Sequence, residues 1–258
     1  MSAPRTLNEL FFRAVDAFGN RPAAMRSRLS GAWTDLSYAD LLDQVQAVSN
    51  GMRELGVPAG GHVAILSENR PEWAIADFAC LTCCCADVPV YPTLPAGQIA
   101  YILKNSEATA IFVSNQEQLA KIREVRGQLP GLKHIITMDR GLESDDLIAF
   151  TELVRRGRAA RSSYPRWKEE ALEATPDDLA TLIYTSGTTG DPKGVMLTHG
   201  NITFNVIKGL EVLPLQPTDE CLSFLPLSHI FERMAGHYVM FHAGAVINYA
   251  LSIDTVSE

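Results

Sequence analysis

At 258 residues with 47% hydrophobic side chains, the chain has apolar material for a sizeable core in one large domain or two. A formal net charge of −8 argues against nucleic acid or any other extended phosphate backbone as partner. No apolar stretch is long enough for a membrane span, and Met1 to Arg13 lacks a signal peptide's apolar core, so a cytoplasmic protein is expected, with peripheral membrane association left open.

In chain order, Thr6-Leu7-Asn8-Glu9 reads as a capping box. Leu7, Leu10, Phe11, Ala14, Val15 and Phe18 follow at helical spacing up to Gly19. Ala23 to Leu29 and Ala32 to Leu36 flank Ser30-Gly31 as a hairpin. Ser37 caps a second helix whose stripe is Leu41, Val45, Val48, Met52 and Leu55, ending at Gly56. An alternation then begins: strand 62–66, helix 71–85, strand 88–91, helix 98–105, strand 109–113, helix 116–128 and strand 134–138. Repeated strand–helix units predict an α/β fold, a mainly parallel sheet flanked by helices on both faces. Residues 140–176 are charged and read as a connecting region with a helix near 150–156. A strand precedes Tyr184, a helix spans 201–213, a strand 220–225, a helical segment 229–242 and a strand 245–250. The expected division is an N-terminal α/β subdomain over 1–139, a connection over 140–176, and the start of a second α/β subdomain over 177–258.

Four of five cysteines crowd into Cys80-Leu81-Thr82-Cys83-Cys84-Cys85, with Cys221 apart. The spacing fits neither a disulfide framework nor a zinc set, and the surrounding residues are small and apolar. Buried thiols packing as small hydrophobes are the preferred reading over a metal or redox site. Arg155, Arg156, Arg158 and Arg161 are read as a coat on a helix end or loop.

Chemistry concentrates in Leu182-Ile183-Tyr184-Thr185-Ser186-Gly187-Thr188-Thr189-Gly190-Asp191-Pro192-Lys193-Gly194-Val195. Glycines let backbone N–H groups turn towards an anion, hydroxyls add donors, and Lys193 adds positive charge. The spacing is not a Walker A loop, because Pro192 stands where its second glycine would fall. Apolar runs on both sides predict a loop joining two strands. A plain polar turn is the competing reading, and it needs fewer such residues.

Tyr184 to Gly194 resembles the phosphate-binding signature of the adenylate-forming enzymes. Leu225-Pro226-Leu227-Ser228-His229-Ile230-Phe231-Glu232-Arg233 resembles the family's next motif in the form found in bacterial long-chain fatty acid–CoA ligases. The resemblance implies the αβαβα-type layers of the acyl-CoA synthetase large N-terminal domain, here incomplete. It implies ATP, Mg2+ and coenzyme A, with a fatty acid as the substrate activated. It assigns Thr185, Ser186, Gly187, Thr188, Thr189, Gly190 and Lys193 to ATP phosphates, with Thr185 also the candidate magnesium contact. Tyr184 is expected to pack under the loop, its hydroxyl without a role.

His229 is the candidate catalytic residue, positioned by the resemblance where acyl pocket meets α-phosphate; a histidine capping the next helix is the alternative. Phe231 and Met234 are candidate acyl-pocket residues, and Val239, Met240 and Phe241 either extend that pocket or pack in the core. Glu232-Arg233 reads as a local ion pair. The family's adenine-binding motifs, acidic magnesium ligand and C-terminal lysine do not occur in this sequence. The chain is therefore expected to be the first part of a synthetase, inactive alone and prone to self-associate. Two alternatives stand beside this: a non-catalytic nucleotide- or acyl-binding module, and an adenylate-forming enzyme for another carboxylate.

Overall fold

The computed structural model describes residues 3–28, 31–142, 144–185, 191–250 and 256. Helix α1 (Leu7–Phe18) starts where expected: the Glu9 N–H donates to the Thr6 hydroxyl at 3.1 Å. The reciprocal half of the box is displaced, because the Glu9 carboxylate accepts from the Arg5 N–H. Strands β1 (Met25–Ser27) and β2 (Thr34–Leu36) form the expected antiparallel hairpin, with Met25 opposite Leu36. Ser37 caps α2 (Tyr38–Glu54) through the Asp40 N–H.

The alternation follows as β3 (His62–Leu66), α3 (Pro71–Thr82), β4 (Ala86–Val90), α4 (Ala96–Asn105), β5 (Ala110–Val113), α5 (Gln116–Val125) and β6 (His134–Thr137). Residues 140–176 carry more than a connection: β7 (Ile148–Ala149), α6 (Phe150–Ala159) and α7 (Trp167–Leu172). The rest is β8 (Leu179–Thr185), β9 (Lys193–Thr198), α8 (His199–Val212), β10 (Glu220–Ser223), a π-helical turn over Glu232–Val239, α9 (Met240–Ala243) and β11 (Val246–Tyr249).

The larger sheet has the order β7-β6-β5-β3-β4-β8-β9, parallel throughout except for β9, which returns antiparallel to β8. Its central strands are apolar on both faces, as a sheet covered by helices on both sides requires. Val63, Ile65, Ala110 and Phe112 join the core under α1, α2 and α3, while Ala64, Leu66, Ile111 and Val113 face α4 and α5. This is the period-2 alternation of strand side chains. The smaller sheet, β10-β11-β1-β2, pairs the two ends of the described chain, with Met25 beside Ile247. Met25, Ile247 and Tyr249 belong to the core of α1 to α3, and α3 touches both β1 and β3, so a helical layer lies between the sheets. The layering is helix–sheet–helix–sheet.

Helix α6 docks on α2 through glycines. A Cβ on Gly157 would lie 1.7 Å from the Ala47 carbonyl oxygen, and one on Gly51 would lie 2.7 Å from that of Leu153. The arginine cluster is ion-paired: Arg155 and Arg156 to Glu152, Arg158 and Arg161 to Asp43.

Candidate active site

The polar loop joins two strands, as its flanking apolar runs require. Ser186, Gly187, Thr188, Thr189 and Gly190 lie outside the described residues. Its two described ends are Thr185 and Lys193, exposed and directly paired across the β8–β9 ladder. One step down the ladder, Tyr184 pairs with Gly194, and a Cβ on Gly194 would stand 3.1 Å from the Tyr184 ring. The glycine thus makes room for a buried ring beneath the loop. The Tyr184 hydroxyl, given no role in the sequence reading, donates to Asn105 Oδ1 at 2.6 Å and anchors the hairpin to α4. Burial raises the pKa of this phenol, so it remains a donor.

Thr185 stands at the carboxyl end of β8, beside the carboxyl end of β4. In open α/β sheets ligands bind outside the carboxyl ends of strands. A cavity of about 330 Å³ opens there, lined by Tyr91, Gln98, Tyr184, Thr185, Pro192 and His229 among others. The structure thus brings His229 to Thr185, 44 positions apart in sequence. His229 is exposed, and its Nδ1 accepts the Phe231 N–H at 3.2 Å. That bond is the helix-capping role of the alternative reading. It also puts the proton of the neutral ring on Nε2.

The turn carrying His229 is held from outside its own sequence. Asn69 donates to the Leu225 carbonyl at 2.7 Å and accepts from the Leu227 N–H at 2.9 Å. Asn69 was not singled out from the sequence, and no local pattern marks it.

Phe231 and Met234 meet in a second cavity of about 290 Å³, with Leu197, Ile202, Asn205 and Ile230. It is lined by different residues from the His229 cavity. Val239 and Phe241 are core residues, and Phe241 stacks on Phe11 at 5.8 Å, so packing accounts for both.

Glu232 and Arg233 are not paired with each other, which corrects the sequence reading. Glu232 accepts from the Ser223 hydroxyl at 2.7 Å. Arg233 is fully buried and bonds Asp77, stands 2.9 Å from Asp87 Oδ2, and donates to the Thr181 hydroxyl at 2.8 Å. Tyr238 adds a bond to Asp77 at 2.8 Å. Burial alone would raise Asp77, but the Arg233 cation and His237 outweigh it and hold this carboxyl at about 2. Burial pushes Asp87 up to about 8, against the pull of Arg233 and helped by the Asp77 charge. Two acids inside otherwise apolar runs, Asp77 in α3 and Asp87 in β4, were the available signal, since buried charges are rarely unpaired.

Among the described residues no group of three or more His, Cys, Asp or Glu is placed to hold a metal ion. No described helix is long and apolar enough to cross a membrane.

The sequence model of the AMP-binding enzyme family matches residues 11–256. A long-chain-fatty-acid–CoA ligase, FadD15 of Mycobacterium bovis, is 34% identical over 238 residues, covering 88% of this chain and 37% of the relative. Long-chain-fatty-acid–CoA ligase 6 of Homo sapiens is 32% identical over 271 residues, covering 98% of this chain and 38% of the relative. Two solved structures share the fold. An anthranilate CoA ligase, AuaEII, in complex with anthranoyl-AMP has a TM-score of 0.83 at 24% identity, over 96% of this chain and 45% of that one. A long-chain-fatty-acid–CoA ligase, FadD1 of Archaeoglobus fulgidus, has a TM-score of 0.81 at 20% identity, over 98% of this chain and 48% of that one. The chain spans little more than a third of the length of the curated relatives it matches.

Proposed function

The chain belongs to the AMP-binding enzyme family, and from that membership we propose that it supplies the phosphate-binding and carboxylate-facing part of an ATP-dependent fatty acid–CoA ligase. The observation that carries the reading is Thr185 and His229 on one cavity at the carboxyl ends of parallel strands, beside a hairpin that returns at Lys193. In the reaction a carboxylate attacks the α-phosphate of ATP and expels pyrophosphate, and coenzyme A thiolate then displaces AMP from the acyl-adenylate. The first step brings anions together, so the work of this chain is charge neutralisation and positioning.

Thr185, Ser186, Gly187, Thr188, Thr189, Gly190 and Lys193 are assigned to the ATP phosphates through hydroxyls, backbone N–H groups and one ammonium. Magnesium comes with ATP as substrate; Thr185 offers one neutral oxygen, suited to an ion that takes most of its ligands from phosphate and water. His229, with Nδ1 occupied by the Phe231 N–H, offers Nε2–H to the substrate carboxylate. Phe231 and Met234 are assigned to the acyl chain, supported by their apolar neighbours Leu197 and Ile202. The division at residues 139 and 177 is kept as a functional one, the last part holding both cradle and histidine. A cytoplasmic setting belongs to the same proposal.

The test is ATP binding to the chain by calorimetry, alongside ATP–pyrophosphate exchange with medium-chain, long-chain and aromatic acids. Expected is ATP binding that Lys193→Ala weakens by about 10- to 100-fold, the worth of a hydrogen bond to a charged group. Exchange driven best by long-chain acids supports the ligase reading; exchange only with aromatic acids replaces its substrate class. Binding without exchange supports the non-catalytic module, and no ATP binding by folded protein refutes the cradle.

A further inference from the structure

Residues 224–229, which present His229, belong to no helix or strand. Backbone polar groups outside regular structure must still find partners when buried. One side chain supplies them here. Asn69 Nδ2 donates to the Leu225 carbonyl at 2.7 Å and to the Ser223 hydroxyl at 3.0 Å, and Asn69 Oδ1 accepts the Leu227 N–H at 2.9 Å. Both amide N–H groups and the amide oxygen are thus in use. Asn69 stands on a stiff platform between β3 and α3. The next residue, Arg70, precedes Pro71, which restricts it to extended backbone, and its φ of −166° and ψ of 160° conform. Arg70 is buried and pinned by Glu72 and Asp139, each at 2.8 Å.

The contact continues past Asn69. The Ser223 hydroxyl that accepts from Asn69 donates in turn to Glu232 Oε1 at 2.7 Å. Glu232 opens the π-helical turn, on the far side of His229 from Ser223. Gly236 leaves room for its carboxyl group, since a Cβ there would lie 2.5 Å from Glu232 Oε1. Ser223 and Glu232 are 1% and 6% exposed, so both bonds are sheltered from water.

We propose that Asn69, Ser223 and Glu232 form a clamp that sets the position of His229, with Asn69 as its positioning residue. Backbone satisfaction alone explains the bonds to Leu225 and Leu227. It does not explain why the same amide reaches Ser223, which passes the contact on to Glu232. Asn69 holds the entry of the turn and Glu232 its exit, while His229 stays exposed between them. The Phe231 N–H meets His229 Nδ1 at 3.2 Å within that span, so a turn of fixed shape fixes the ring and leaves Nε2–H for a ligand. The consequence for catalysis rests on the assignment of His229 to the substrate carboxylate. A misplacement of about 1 Å at such a group can cost about 100-fold in rate.

The experiment labels the histidine rings of the folded chain with 15N and identifies the His229 signals by their loss in His229→Gln. Expected in the wild type is one dominant tautomer, with Nε2 protonated and Nδ1 an acceptor. In Asn69→Ala that preference should fall about threefold or more, the worth of one weak hydrogen bond, while the His199 signals stay in place. A merely structural asparagine would lower stability and leave the His229 ring of the folded protein unmoved. If Asn69→Ala fails to fold, Glu232→Ala and Glu232→Gln decide. Glu232→Ala should shift the ring signals in the same direction, and Glu232→Gln, which still accepts from Ser223, should restore them. Unmoved His229 signals in folded Asn69→Ala, or equal shifts in the two Glu232 variants, would overturn the clamp. Adding ATP and a long-chain acid to the wild type tests the underlying assignment separately. A shift at His229 Nε2 supports the carboxylate contact; no shift refutes that contact, and the ring comparison still decides the clamp.

Discussion

Arg233→Met and Asp87→Asn touch the same buried contact, yet they should differ widely in cost. At pH 7 the cluster holds one carboxylate (Asp77), one guanidinium (Arg233) and a carboxylic acid (Asp87) whose Oδ2 lies 2.9 Å from that guanidinium. Removing the guanidinium leaves Asp77 fully buried without its cation, so it must take up a proton. Taking the ordinary aspartate value of 3.8 for the unfolded chain, that is about three pH units at about 1.4 kcal/mol each, or about 4 kcal/mol. Measured losses on breaking a buried pair, about 3–5 kcal/mol, agree. Asp87→Asn replaces one neutral group by another of similar shape and should cost less than about 1.5 kcal/mol at pH 7.

The pH dependence carries the sign. Asp87 has a folded value raised above its unfolded one, so its contribution is complete below about 3.8 and is lost as pH rises through about 8. Relative to Asp87→Asn, the wild type should therefore gain stability as pH falls from 7 to 5, by up to about 1.4 kcal/mol per pH unit. In Arg233→Met both acids are neutral and both slopes add, so its deficit should shrink by about 1.4 kcal/mol per pH unit on acidification. Urea unfolding followed by tryptophan fluorescence reads this directly, since the Arg233 guanidinium lies 5.6 Å over the Trp73 ring. Equal costs for the two variants at pH 7 would mean that Asp87 is ionised, and an Arg233→Met deficit independent of pH would mean that Asp77 keeps its charge without the guanidinium; either result defeats the reasoning.

Gly157→Ala should destabilise by about 3 kcal/mol or more, above the usual overpacking range, because its Cβ would overlap the Ala47 backbone and push α6 off α2; the same urea series measures it, and a neutral result would show that the helices can separate freely. His199 accepts the Leu7 N–H and is held by burial at about 4, below its ordinary 6.5, so its contribution is present above pH 6.5 and lost as pH falls through 4. His199→Gln should flatten the acid limb between those values, by up to about 1.4 kcal/mol per pH unit. Met196, Phe204 and Val212 on β9 and α8 are 65%, 64% and 79% exposed. A patch of this kind favours association, so sedimentation velocity should show concentration-dependent self-association that Met196→Gln with Phe204→Gln reduces, and a monomer at every concentration would contradict it.

The elements legible in the sequence are those with local causes. Thr6 and Ser37 announce α1 and α2, Ser30-Gly31 announces a hairpin, and the apolar runs around Thr185 to Lys193 announce two strands. The helix expected to run to Cys85 stops at Thr82, because a Schellman turn reverses the chain at Cys84. A cysteine at that corner hides a stop that glycine would have advertised. The π-helical turn at Glu232–Val239 has no sequence signature, and the pairing of β1 with β11 joins residues more than two hundred positions apart. Long-range pairing of this kind is decided by the packed whole rather than by any window of sequence.

The misreading of Glu232-Arg233 has the same origin. Adjacency in sequence suggests a pair, whereas successive residues of a helical turn point in different directions. Arg233 reaches into the interior and gathers Asp77 from α3, Asp87 from β4 and Thr181 from β8. Thr181 lies four residues before Thr185, and Arg233 four residues after His229, whose carbonyl accepts the Arg233 N–H at 3.1 Å. One buried side chain thus spans the strand that presents Thr185 and the turn that presents His229. The spacing of those exposed residues around their cavity depends on a charge cluster that neither touches, so the site is stiffened from beneath by the group whose removal is expected to cost the core most.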